Sequence, residues 1–292
     1  MVRQLSRFVA GAFALATLLS VFPRRAAAAA QQPMRIVSLA PSVTETLFAI
    51  GAGDEVVGVS QYCNYPAAAR TRPRVGTFLT PDLEAIVALR PTLVIGLGLS
   101  SDQRELHAIA EMSCPVMTVQ DDSLGEIEAS IERVGVRINR AAQAQALLEQ
   151  LRAQIESVRD KVAGARRVRV LMVVGHQPLV AVGVGNFLDD LLRLAGADNI
   201  AASGSAQPWP RLSIEYILTM KPDVILDGQM GADVAASSNF WSRFPTIPAV
   251  RNHRVYGYPE DPIDHAGPRV GESLAMIAKL IHPERFAAET SR

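Results

Sequence analysis

"EAIVALRPTLVI" (84–95) and "EYILTMKPDVIL" (215–226) align without a gap. Each opens on a glutamate, Glu84 or Glu215, and continues with apolar residues spaced for one face of a helix. Each then reaches a basic residue, Arg90 or Lys221, then Pro91 or Pro222, and closes on an apolar run. Proline disfavours helix at the residue before it and has no backbone N–H to donate, so the helix ends there. The short apolar run that follows reads as a buried strand. Identical Glu and Pro positions in an ungapped match point to two similar α/β lobes. The spacing between the copies is far too long for a solenoid.

The flanking sequence keeps the same rhythm. "RIVSLA" (35–40) reads as a strand and "SVTETLFAI" (42–50) as a helix, with Ser42 and Glu45 as a capping box and Gly51 as its stop. "VVGVS" (56–60), "TLVIGLG" (92–98) and "VMTVQ" (116–120) read as strands. "TPDLEAIVAL" (80–89) reads as a helix capped by Thr80, with Pro81 at its first position. Nearly all-apolar strands alternating with helices predict parallel sheets covered on both faces. Residues 123–163 contain no proline and repeat apolar side chains at helical spacing. They predict a long helix, kinked near Gly135 and ended by Gly164. The expected fold is α/β: two Rossmann-like lobes (31–122 and 165–292) with mostly parallel sheets, joined by a long rigid helix (123–164), with the ligand cleft between them.

Residues 1–30 read as a secretory signal. Arg3 and Arg7 precede an apolar stretch (8–22), and "AAAAA" (26–30) offers a cleavage site. The Arg24–Arg25 pair leaves an uncleaved anchor as the alternative. No cysteine follows the apolar stretch closely, so no lipoprotein is expected, and the predicted location is the periplasm. Cys63 follows one strand and Cys114 precedes another, at opposite ends of a parallel sheet, which predicts two free thiols. Lys and Arg balance Asp and Glu at 29 each, which gives no nucleic-acid footprint. The "RRVR" run (166–169) reads as a solvated strand edge.

Enzyme motifs are missing: no G-x-S-x-G, no Walker A, no H-E-x-x-H. "GVGNFL" (183–188) lacks the third glycine of a dinucleotide fingerprint. The five histidines have no ligand spacing. A non-enzyme is expected, with no catalytic cofactor. The competing reading is a periplasmic hydrolase using Asp264 and His265.

Ligands of open α/β sheets bind beyond the carboxyl ends of the strands. The loops expected there carry Tyr62 and Tyr65, Phe78, His176, and Asp261, Asp264 and His265. Trp209, between Pro208 and Pro210, precedes the second copy of the repeat. Aromatics are only 5% of the chain, yet several lie in these loops rather than in apolar periodic runs. Large flat side chains there suit a large, flat, partly apolar ligand.

"RIVSLAPSVTETLFAIGAGDEVVGVSQYCNYP" (35–66) and "DLEAIVALRPTLVI" (82–95) resemble the periplasmic substrate-binding proteins of ABC importers for cobalamin, haem and iron–siderophores. "PWPRLSIEYIL" (208–218) resembles the cobalamin branch. The resemblance covers residues 34–286. It implies a class III periplasmic binding protein, a monomer that holds its ligand between the lobes with little hinge closure and docks on a two-fold symmetric permease. It implies that Glu84 and Glu215 each enter an Arg pocket on the permease. It implies that Tyr62, Phe78, Trp209 and the 261–265 loop, with Asp261 and His265, contact a corrin ring; His176, in a loop after a strand, is a further candidate for the same site.

Two positions depart from the cobalamin pattern: Phe78 stands where Trp is expected, and His265 where a basic residue, commonly Arg, is expected. The absence of Tyr at 78 argues against haem. His265 would donate a hydrogen bond to a corrin amide or, alternatively, coordinate cobalt. A ferric siderophore or haem is the alternative ligand; the cleft loops are short of Arg for a siderophore, apart from Arg211 and Arg269.

Overall fold

The computed structural model describes residues 33–98, 104–111, 114–228 and 239–287. The expected signal segment (1–30) lies outside them. From Met34 onward the chain forms one compact unit, built on two sheets. The first contains β1 (Ile36–Ser38), β2 (Val56–Val59), β3 (Leu93–Leu97) and β4 (Val116–Val119) in the order β2-β1-β3-β4, all parallel. The second contains β5 (Val168–His176), β6 (Leu179–Ala181), β7 (Ala197–Asn199), β8 (Val224–Asp227) and β9 (Val255–Gly257). There β7, β5, β8 and β9 run parallel, and only β6 is antiparallel.

Side-chain alternation explains how both faces are covered. On β3, Leu93 and Ile95 enter a core shared across the molecule, while Val94 joins a separate outer cluster with Val37, Leu39 and Ile86. On β8, Val224 and Leu226 face the shared core and Ile225 an outer cluster with Ile217 and Trp241. Successive strand residues point to opposite faces, so a continuous apolar run fits a sheet buried on both sides.

Among the described residues the named helices are α1 (Pro41–Ala49), α2 (Leu83–Ala88), α3 (Arg104–Glu111), α4 (Leu124–Arg137), α5 (Ala141–Val162), α6 (Phe187–Leu194), α7 (Ile214–Met220), the one-turn α8 (Pro248–Arg251), the short α9 (Glu260–Ile263), interrupted by extended backbone at Asp261 (φ −97°, ψ 120°), and α10 (Val270–Ile281). The repeat seen in the sequence is a structural repeat. Asp82 caps α2 by accepting from the Ala85 N–H at 3.0 Å, and Ser213 caps α7 by accepting from the Tyr216 N–H at 3.2 Å. Arg90 (φ 45°) and Lys221 (φ 49°) take the same left-handed conformation at the other end. Glu84 and Glu215 therefore occupy the same position in the first turn of equivalent helices, each exposed.

Three local expectations are corrected. Asp82, not Thr80, caps α2; Thr80 instead belongs to the preceding turn, where its hydroxyl lies 3.0 Å from that of Thr77. Ser42 and Glu45 form no capping box. Helix α1 starts at Pro41 behind Ala40, without a side-chain cap, and both residues lie inside it. The connecting segment is not one helix but two. The chain leaves helix at Ile138, turns through Asn139 in the left-handed region (φ 58°) and re-enters at Ala141.

Helices α4 and α5 then pack antiparallel, as the Arg152–Glu128 ion pair at 2.6 Å shows. Gly135 allows the approach: a Cβ there would lie 2.4 Å from that of Ala144. The long connecting element is α5, stopped as expected by Gly164 (φ 70°). Ile127, Ile131, Leu148 and Leu151 of this hairpin tie Ile36 and Leu47 of the first lobe to Val170, Leu192 and Leu274 of the second in one core.

Cys63 and Cys114 are free. Burial raises the Cys63 thiol pKa against the opposing effect of its Ser60 and Thr44 hydrogen bonds.

Candidate functional site

Phe78 and Trp209 each stand six residues before the repeat glutamate, so they are equivalent positions of the two lobes. Phe78 is presented by a tight turn, and Trp209 by a segment paired alongside residues 180–183. In the first, the Thr77 N–H donates to Thr80 O at 3.1 Å, and the Thr77 hydroxyl accepts from the Thr80 N–H at 2.9 Å. Gly76 (φ 83°) is required, since a Cβ would lie 2.5 Å from the Thr80 carbonyl oxygen. In the second, the Ala181 N–H donates to Pro210 O at 3.0 Å and the Gly183 N–H to Pro208 O at 2.8 Å. The Asn186 side-chain amide adds a bond to Pro208 O at 2.8 Å. The backbone is thus pinned on both sides of Trp209 while the indole stays out. Phe78 is 38% exposed, Trp209 46% and Tyr62 49%. Tyr62 rides on a loop tied by Arg74, which donates to the carbonyls of Ser60 (2.8 Å) and Cys63 (2.9 Å). An exposed aromatic buries large apolar area on binding at small entropy cost.

A second group joins the lobes. Arg269, at the start of α10, makes a two-point contact with Glu45 of α1: Nε to Oε2 at 2.8 Å and Nη2 to Oε1 at 2.6 Å. The same Nη2 donates to Asp261 Oδ1. The guanidinium lies 3.8 Å from the centroid of the Tyr65 ring. The Glu45 side chain is only 2% exposed. His265 Nδ1 stands 3.4 Å from Glu45 Oε1 and 3.9 Å from Asp261 Oδ1. Burial works against a charged His265 imidazole, but the hydrogen bond and charge of Glu45, with Asp261 behind, outweigh it and raise the pKa above the ordinary value. Donor atoms of Glu45, Asp261 and His265 lie within 4.8 Å of one another, close enough to hold a cation. The Arg269 guanidinium already fills that role, so the group is closed by an internal ion pair.

His176 lies elsewhere, in a packed cluster at the ends of β5 and β8. Its Nε2 is 2.7 Å from Asp227 Oδ2, which also accepts from Trp241 Nε1 at 2.6 Å. Phe240 stacks on the imidazole at 4.2 Å with planes 21° apart, and Trp241 meets it edge-on. The His176 side chain is 10% exposed and Asp227 fully buried. His176 was expected in a ligand loop; here its ring is committed to supporting the β5–β8 end of the second lobe.

Of the residues singled out in the sequence, Asp261 and His265 share one cluster, while Phe78 and Trp209 mirror each other across the repeat. Glu45, Arg269, Asp227 and Trp241 carry no sequence mark of their roles. Glu45 reads as half of a cap. Asp227 sits at the end of an apolar strand. Trp241 could have been noticed only as the second tryptophan of the chain.

Residues 36–262 match the periplasmic binding protein family. A vitamin B12-binding protein of Yersinia pestis (strain Pestoides F) is 30% identical over 241 residues, covering 82% of this chain and 84% of its own. One from Pectobacterium atrosepticum is 30% identical over 265 residues, covering 89% and 92%. Among solved structures, the apo periplasmic haem-binding protein of Roseiflexus sp. RS-1 superposes with a TM-score of 0.78 at 27% identity, covering 86% of this chain and 99% of its own. The periplasmic vitamin B12 binding protein of Vibrio cholerae gives 0.75 at 27% identity, covering 85% and 96%. With a family match across most of its length and two sheets bridged by a helical hairpin, the chain belongs to the periplasmic binding proteins.

Proposed function

We propose that this protein captures cobalamin, or a related corrinoid, in the periplasm and delivers it to the permease of an ABC importer. The observation that carries the reading is the pair Phe78 and Trp209: exposed aromatics at equivalent positions of two lobes, on backbone pinned by hydrogen bonds. Tyr62 adds a third aromatic face. Two relatives of near-full coverage named for vitamin B12 binding support the corrinoid class.

His265 and Asp261 supply the polar edge of the site. Glu45 and Asp261 raise the His265 pKa against the effect of burial and so favour the protonated ring, which donates a hydrogen bond to a corrin amide; coordination of cobalt by the neutral ring is the alternative role. His176 acts behind the wall rather than on the ligand. Glu84 and Glu215 give one carboxylate per lobe to a two-fold symmetric permease, and a monomer suffices for that geometry. The site binds rather than transforms: the carboxylates beside His265 Nδ1 are Glu45 and Asp261, and Arg269 neutralises them instead of a nucleophile using them.

Haem is the second reading, favoured by the Roseiflexus haem-binding likeness. Calorimetric titration of the purified protein with cyanocobalamin, haem and a ferric siderophore decides between them. Cyanocobalamin is expected to bind one to one, and Phe78→Ala with Trp209→Ala to weaken it on the order of 100-fold. No corrinoid binding below tens of micromolar would sink the reading; tight haem binding alone would replace it.

A further inference from the structure

The lobes meet in two chemically different ways. At the α4–α5 hairpin they share one apolar core. Between the middle of α1 and the start of α10 they meet through charge: Glu45 of the first lobe against Arg269 of the second. A cavity of about 350 Å³ lies beside this contact, lined by Phe48 and Tyr65 from the first lobe, Leu151 and Gln154 from α5, and Arg269. Apolar packing is therefore not continuous behind the ion pair. Gly267 brings the second-lobe loop close to α1, where a Cβ would lie 3.3 Å from Ser42 Cα. A backbone N–H of α4, that of Leu124, donates to Asp190 of α6 at 3.0 Å as a further tie.

We propose that Glu45 and Arg269 are positioning residues: a strut between the lobes that sets the width of the cleft before any ligand arrives. The chemistry suits a strut. A two-point guanidinium–carboxylate contact fixes direction as well as distance. Asp261, on the same lobe as Arg269, holds the guanidinium in place, and Tyr65 from the opposite lobe covers its face. Arginine presents a preorganised planar fork, so little freedom is lost on making the contact. Releasing Arg269 leaves Glu45 buried beside Asp261 with only His265 to compensate, so the lobes part to let water in. The strut acts through geometry; its effect on ligand rests on the corrinoid reading, but the spacing itself does not.

The test measures that spacing without ligand. Spin labels are placed on Asp54→Cys and Asn252→Cys, both exposed and on opposite lobes, in a Cys114→Ser background. Pulsed dipolar spectroscopy should give one narrow distance. Arg269→Ala should broaden the distribution and move its maximum. Glu45→Gln/Arg269→Met removes both charges and leaves no unpaired buried ion, which guards against loss of folding; it should broaden the distribution likewise. A folded double variant whose distribution superimposes on the parent overturns the strut. In the same variants cyanocobalamin affinity should fall on the order of tenfold, as expected when the competent width is a minor population. A changed distance with unchanged affinity overturns the positioning role. A parent that binds no corrinoid overturns the ligand reading alone, and the distances still decide the strut.

Discussion

His265 shows how one position can be right in place and different in chemistry from what its sequence implies. A loop histidine beside aspartates suggests a solvated donor or a metal ligand. The fold instead puts its Nδ1 between Glu45 and Asp261, within 4 Å of each. Those carboxylates stabilise the imidazolium more than burial penalises it, so the folded pKa lies above that of the unfolded chain. The sign follows: the stability His265 contributes is fully present below about pH 6.5, the unfolded value, and is lost as pH rises through the raised folded value. An NMR titration of the His265 ring should give a midpoint above 6.5, and Glu45→Gln should lower it. A wild-type midpoint at or below the ordinary histidine value would contradict the geometry. Glu45 itself was illegible because its partner, Arg269, is 224 residues away; single-sequence patterns report only neighbours along the chain.

At the level of elements, the sequence is legible where local chemistry decides. Pro91 and Pro222 mark helix ends, and the apolar runs behind them are the strands β3 and β8. Cap choice is a competition among close candidates. Thr80 is spent in a turn with Thr77, which leaves Asp82 to cap α2. The α4–α5 break escaped because Ile138, Asn139 and Arg140 include neither Pro nor Gly. What breaks the helix is tertiary: Gly135 permits contact with Ala144, and the Arg140 N–H closes the turn on Gly135 O at 2.7 Å. Gly135→Val should therefore separate α4 from α5 at the tip of the hairpin. Overpacking of this kind costs about 1–3 kcal/mol, read as a lower urea midpoint at unchanged slope. Gly125→Ala, near the start of α4 with only a loose contact to Ser123, is the control and should be neutral or slightly stabilising. Equal effects from both would mean that the hairpin contact does not define the break.

Across the whole molecule, the internal repeat gives each lobe the same three features in order: an exposed aromatic, a side-chain-capped helix start and an exposed glutamate. Phe78, Asp82 and Glu84 correspond to Trp209, Ser213 and Glu215. The aromatic precedes the cap and the carboxylate follows it, so the proposed ligand and docking residues stand in the same order and spacing in both lobes. Glu215 is further tuned: its own backbone N–H and the Ser213 hydroxyl hold its carboxyl below the usual range. A single exposed ion pair contributes about 0–1 kcal/mol, so Glu84→Arg or Glu215→Arg alone should weaken permease binding several-fold. On the proposed docking, both reversals together should abolish it, because each lobe then presents positive charge where the family resemblance implies an Arg pocket. Glu84→Gln/Glu215→Gln separates docking from helix electrostatics, since an exposed first-turn carboxylate contributes little to its own helix. Permease binding in nanodiscs, measured with ligand affinity and melting temperature on the same samples, reads all three. Loss of docking at unchanged ligand affinity, steeper at low salt, is the expected pattern. Undiminished binding by the doubly reversed protein would remove the glutamates from the interface and leave them as helix-end charges alone.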